Sequence, residues 1–249
     1  MITFLISGDL RCPSFTSLPA LLASLVADGA PAQLLSTVDG SLIGKWHKLA
    51  NGDIRSIGPI DLTRVTNEID LTALDGSAEW VYGSGLRVLD GHAVFAANSL
   101  GIPDAAMIRA QVKLEGLSGG VNSEVGIGVS HSASAKESAA GIIRYSSYWR
   151  RYFSSGTSVA PIRVYGGATG TPTAGQIVDC VWSVLADAFA TTRAVRGQVI
   201  GAGVTLAAAA TSVMTVAKTC AGINGLLAVA YPRTSGSMQA LFTSIEVMA

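Results

Sequence analysis

The stretch Arg144 to Ser155 concentrates side chains suited to recognising a ligand. Tyr145, Tyr148, Trp149, Tyr152 and Phe153 are five of the chain's sixteen aromatic residues, and Arg144, Arg150 and Arg151 lie among them. Aromatic rings stack on sugar faces, while guanidinium forks bond hydroxyls or acidic groups. Read as one β-strand, successive side chains alternate between two faces. Tyr145, Trp149 and Phe153, with Ser147 and Arg151, then form a face apolar enough to bury. Tyr148, Arg150 and Tyr152, with Arg144 and Ser146, form the other, and these three are the candidate binding residues. Protein interfaces enrich the same residue types, so a subunit contact and a glycan fit them equally.

Other chemistry finds little support. His47, His92 and His131 stand apart, with no second His, Cys or carboxylate at metal-ligand spacing. Gly128-Val129-Ser130-His131-Ser132 lacks the second glycine of a nucleophile elbow, and Gly201-Ala202-Gly203 lacks the third glycine of a dinucleotide loop. Glu79, Glu115, Glu124 and Glu137 form no obvious catalytic pair along the chain. No catalytic residue, metal site or cofactor is therefore expected. Cys12, Cys180 and Cys220 form no CxxC and read as free thiols made in a reducing compartment.

The elements that would carry these residues follow from composition and pattern. The chain has 249 residues and zero formal net charge, which argues against nucleic acid or an anionic membrane as a partner. Charged residues make up only 14%, against about 25% in ordinary soluble domains. A surface so poor in charge suggests that much of it is covered in an assembly. Val199 to Ala217 is uncharged for nineteen residues, yet it is rich in Ala, Gly and Thr and reads as two buried strands and a turn. Leu18 to Ala27 with Ala30-Pro31-Ala32 faintly imitates a signal peptide, but the polar start and Asp28-Gly29 argue against one.

Leu18, Leu21, Leu22 and Leu25 have helical spacing, with Pro19 in the first turn and Ser17 as the expected cap. A strand is expected at Thr3 to Ile6, and Trp46 to Arg55 reads as strand, Asn51-Gly52 turn, strand. Asp39-Gly40, Asp75-Gly76 and Asp90-Gly91 are read as further turns. After Gly76 short strands recur, and Ile108, Ala110, Val112 and Leu114 alternate with Arg109, Gln111, Lys113 and Glu115. Half-buried antiparallel strands have this pattern. The expectation is an all-β, antiparallel two-sheet jelly-roll-like sandwich over residues 76–249, preceded by an attachment or collar region with one helix over residues 1–75.

Trp80, Gly85 to Val88, Ala93 to Phe95, Met107 to Leu114, Val125 to Ser130, Trp182 to Val184 and Leu241 to Val247 together resemble a concanavalin A-like, laminin-G-type jelly roll. That resemblance implies calcium at a sheet rim as one use of Asp90, Asn98, Asp104 and Asn122, with turn formation as the other. Lys45 to Arg55, with its Asn51-Gly52-Asp53, is similar to segments of bacteriophage virion proteins in which an adaptor precedes a β-rich fibre, spike or decoration domain. This resemblance implies a non-enzymatic virion structural protein, made in the host cytoplasm. It implies decoration of the capsid or a place in a tail or head fibre, a homo-oligomer (a trimer), other virion proteins as partners, and host-surface glycan as ligand. The alternative is a stand-alone carbohydrate-binding or carbohydrate-cleaving sandwich.

Overall fold

The computed structural model describes residues 12–96, 106–130, 138–145, 148–155, 162–169, 172–185, 193–201, 210–214 and 225–248. Side chains are described for 12–96, 107–129, 172–182 and 225–247, and elsewhere only the backbone ladder. The strand expected at Thr3 to Ile6 lies outside the described residues.

A small sheet comes first. It runs β1 (Ser14–Phe15), β2 (Ala32–Leu35), β3 (Leu42–Lys48) and β4 (Ile54–Ser56) in that order, with helix α1 (Leu18–Ser24) between its first two strands. The Asp39-Gly40 and Asn51-Gly52 signals become its turns, with Gly40 at φ 71° and Gly52 at φ 89°, where a side chain would be strained. Leu18, Leu21 and Leu25 are buried, so the apolar stripe of α1 packs inward. Ser17 precedes the helix but its hydroxyl makes no cap bond. The Leu18 amide is satisfied instead by the Glu68 carbonyl, at 2.8 Å.

The remaining strands are β5 (Ile60–Asp61), β6 (Leu71–Val81), β7 (Gly85–Phe95), β8 (Ala106–Leu117), β9 (Glu124–Ser130), β10 (Ser138–Tyr145), β11 (Tyr148–Ser155), β12 (Ile162–Thr169), β13 (Ile177–Leu185), β14 (Arg193–Gly201), β15 (Ala210–Met214), β16 (Gly225–Tyr231) and β17 (Met238–Met248). A 3-10 turn, Leu62–Arg64, follows β5. Their hydrogen-bonded order is β12-β11-β10-β9-β16-β7-β17-β8-β13-β14-β15, with β5 beside β17 and β6 beside β7. The fold is the all-β, jelly-roll-like sandwich expected. Its two layers are the wings of one ribbon, joined at the β6–β7 hairpin.

That junction corrects the reading of two glycine signals. Asp75-Gly76 and Asp90-Gly91 are not chain reversals, because both lie inside continuous eleven-residue strands. They are paired irregularities. The β6–β7 register slips on either side of Asp75, with Gly76 at φ 62° and Asp90 at φ 54°. On its far edge β7 pairs β17 through Leu86 to Leu89, then β16 through Gly91 to Phe95. The hairpin bends at this point and belongs to both layers. The 75/76 position, where the strand-rich part was expected to begin, falls within β6.

One buried cluster spans both parts of the chain, running from Leu18, Leu21 and Trp46 through Val88 and Phe95 to Ile127, Cys180 and Phe242. Burial pushes the Cys180 thiol up to about 12, and the Asp179 charge adds to the effect. Cys12 is half-exposed. Alkylation of the native protein at pH 8 is expected to label Cys12 and leave Cys180 unmodified, as peptide mapping would show. Labelling of Cys180 before unfolding would contradict its place in the core. Cys220 lies outside the described residues.

No described helix is long and apolar enough to cross a membrane. Of the two strands expected within Val199 to Ala217, the second overlaps β15, which pairs antiparallel with Arg193 to Gly197 of β14, and residues 202–209 and 215–217 lie outside the described set.

Candidate functional site

Alternation along β8, and along β17 beyond its bulge at Thr243, makes the β17-β8-β13 layer two-faced. Ile245, Ala110 and Cys180 sit side by side on its inner face, all buried. One residue over, register aligns Asp61 with Ser244, Ser244 with Gln111, and Gln111 with Asp179, forming a polar row on the outer face. The next outward row places Glu246 opposite Arg109. Beside β17, Pro59 to Thr63 form a wall. An open groove of about 570 Å³ results, lined by Pro59, Asp61, Thr63, Arg109, Gln111, Thr243, Ser244 and Glu246.

The groove's polar groups are set by one another. Arg109 donates through Nη2 to Oδ2 of Asp179 at 2.7 Å. That bond and the Asp179 charge raise the arginine's pKa above its ordinary value, and Glu246 contributes further. Asp61 accepts the Thr63 amide at 3.0 Å and its hydroxyl at 2.6 Å, capping the 3-10 turn. Ser244 donates its hydroxyl to Oε1 of Gln111 at 3.3 Å, and Thr243 donates to the Gln111 carbonyl at 3.3 Å. Gln111 keeps an amide NH₂ facing an exposed position. Such a surface presents hydroxyls, an amide and half-exposed ions in fixed places, which suits a polyhydroxylated ligand.

A second polar cluster lies at the bend. His92 is isolated in sequence, yet its Nδ1 stands 2.9 Å from Oδ1 of Asp75 and its Nε2 3.9 Å from Oε1 of Glu124. Its ring also meets Tyr231 at 4.7 Å. His92 is 4% exposed and Glu124 7%. The His92 amide also donates to Asp75, at 2.6 Å. This cluster fastens the bulge. Sequence spacing missed it because the three residues come from three strands.

Arg144 to Ser155 is not one strand. Tyr145 ends β10 and is paired with Tyr148, which begins β11. Residues opposite each other share a face, so Tyr145 moves to the side of Tyr148, Arg150 and Tyr152. The β9–β10–β11 register places Trp149, Arg151 and Phe153 on the face of Val125 and Ile127, which are buried, and Tyr148, Arg150 and Tyr152 on the opposite face. The side chains of these candidates lie outside the described residues. β11 belongs to the other layer, so the structure does not bring it to the groove.

Among the described residues no group of three or more His, Cys, Asp or Glu is placed to hold a metal ion. Asp90 instead accepts the Ser237 hydroxyl at 2.9 Å and the Met238 amide at 2.7 Å, tying the bend to β17. Asn122 occupies a turn at φ 66°. Asn98 and Asp104 lie outside the described residues.

No protein-family model matches the chain. No curated protein matches it either. Its architecture is similar to that of several solved β-sandwich proteins that bind or cleave carbohydrate. One is a GH43 glycoside hydrolase with an engineered active site, at 11% identity and TM-score 0.47, covering 88% of this chain and 54% of that one. Another is lectin II from Ulex europaeus, at 9% identity and TM-score 0.44, covering 77% of this chain and 99% of that one. A third is the CBM2 module of the evolved Dit of Lactobacillus casei BL23 phage J-1, at 12% identity and TM-score 0.41, covering 78% and 94%. The chain spans about half or less of the GH43 proteins it matches. At these identities and scores the likeness carries no function to this chain.

Proposed function

We propose that the protein is a non-enzymatic structural component of a bacteriophage virion, decorating the capsid or forming part of a tail or head fibre, and that it binds host-surface glycan. The observation that carries glycan binding is the open groove on the outer face of β17 and β8, whose amide, hydroxyl and ionic groups are held in place by mutual bonds. The low charge of the chain supports assembly, as do Val26, Val38, Leu42 and Ile57, which are exposed large apolar residues of the N-terminal part. In the proposed homotrimer, Tyr148, Arg150 and Tyr152 serve as a further contact with a subunit or a sugar.

The groove does hold two carboxylates, Asp61 and Glu246, which among the described residues is the feature favouring a carbohydrate-cleaving enzyme. Asp61 is already committed to its cap. Glycan-array binding is expected to fall about tenfold in the Gln111→Ala, Ser244→Ala double variant, as for loss of two ligand hydrogen bonds. No new reducing ends should form during incubation with the bound glycans. Unchanged binding would remove the groove from the proposal, and turnover would replace it with the enzymatic reading. Light scattering should give the mass of a trimer, and a monomer would overturn the assembly part.

A further inference from the structure

The charge around the groove limits which sugars can enter it, an inference that rests on the glycan reading above. Asp61 and Glu246 line the groove, and Asp179 adjoins it. Arg109 is the only basic residue among those lining it. Its guanidinium is not a free receptor for an acidic sugar, because Asp179 already holds it at 2.7 Å. Arg64 lies outside the lining and is shared between Asp61 and Asp39, each at 3.7 Å. Lys113 is the next outward position on β8 and also lies outside the lining. An incoming carboxylate or sulfate would therefore meet the Glu246 carboxylate, which has no ion pair among the described residues, before it met an unpaired cation. An incoming ammonium would find that carboxylate.

We infer that the groove selects oligosaccharides without acidic groups, and that it favours chains bearing free amines, such as hexosamine oligomers, over neutral ones. The discrimination comes from Glu246, while Gln111, Ser244 and Thr243 read hydroxyls common to all three classes. Because that carboxylate is only half-buried, the preference is modest and salt-dependent.

Calorimetric titration with three probes tests this: a glucosamine tetramer, its fully N-acetylated counterpart, and a galacturonate tetramer. At about pH 5.5 ordinary carboxylates are ionised. In low salt the amine-bearing tetramer is expected to bind about fivefold more tightly than the galacturonate, as one exposed ion pair allows, with the N-acetylated one between them. The Glu246→Gln variant should reduce that ratio about threefold, and raising the salt to about 0.2 M should shrink it further. Galacturonate binding as tight as that of the neutral tetramer would overturn the inference while leaving glycan binding intact. So would a ratio unmoved by Glu246→Gln. Failure of all three probes to bind would overturn the glycan reading itself, and the inference with it.

Discussion

Replacing Gly91 with alanine should lower the melting temperature by roughly 10 °C, the equivalent of about 3 kcal/mol in a chain of this size. A Cβ at position 91 would overlap the Asp75 carbonyl and come within 2.8 Å of the Gly76 Cα. Both obstacles are backbone, so no side-chain rotation relieves the clash. The two strands would have to separate where the Asp75 carboxylate grips the His92 amide. The Gly52→Ala variant provides the comparison. Gly52 has φ 89° but open space around it, so it should cost only about 1 kcal/mol of backbone strain. Equal shifts in thermal unfolding for the two variants would refute the account of the bend given above.

Removing the Glu68 carboxylate should be at least as damaging. Glu68 is 1% exposed and accepts the amides of Thr37, Thr66 and Asn67 at 2.5, 2.6 and 3.0 Å, together with the Thr37 hydroxyl at 2.8 Å. One side chain thus joins the β2–β3 turn to the segment leading into β6, while its own carbonyl starts α1. Glu68→Ala would leave three amides without their acceptor, at a cost of about 3–5 kcal/mol. Burial works to raise the pKa of this group, but the amides of Thr37, Thr66 and Asn67 and the Thr37 hydroxyl together outweigh it and hold the carboxyl below the ordinary value. A lowered folded-state pKa contributes stability that is fully present above the unfolded value, near 4.3, and is lost as pH falls through the folded value. Urea unfolding from neutral pH down to about pH 3 should therefore show a shallower loss of stability in Glu68→Gln than in the parent. Parallel curves would mean that Glu68 is not the acid-sensitive fastening.

The parts of the fold that depend on neighbours along the chain were readable from residues alone. Asn51-Gly52 makes the turn it suggests, and the alternation of Ile108, Ala110, Val112 and Leu114 against Arg109 and Gln111 correctly separates the faces of β8. The same dipeptide logic misleads at Asp75-Gly76 and Asp90-Gly91. A residue pair that tolerates positive φ suits a bulge as well as a reversal, and only cross-strand pairing decides which forms. The groove shows the other limit. Arg109 and Gln111 could be read as facing outward, but Asp61, Ser244 and Glu246 reach them through ladders joining residues more than 100 positions apart. Tyr145 shares a face with Tyr148 because the ladder pairs the two directly, whereas alternation along one unbroken strand would separate them.

The bent hairpin also sets an order of events during synthesis. β6 and β7 are neighbours in sequence and can pair as soon as they are made. The strands that dock along the free edge of β7 are β16 and β17, which begin at Gly225 and Met238. The hairpin must therefore wait through the synthesis of more than a hundred intervening residues with its bonding edge unfilled. Until β16 and β17 dock on β7, neither layer is bonded to the hairpin, so closure is a late step. Long loops of this kind fold slowly, and the unpaired edge exposed meanwhile is where neighbouring nascent chains would stick to one another.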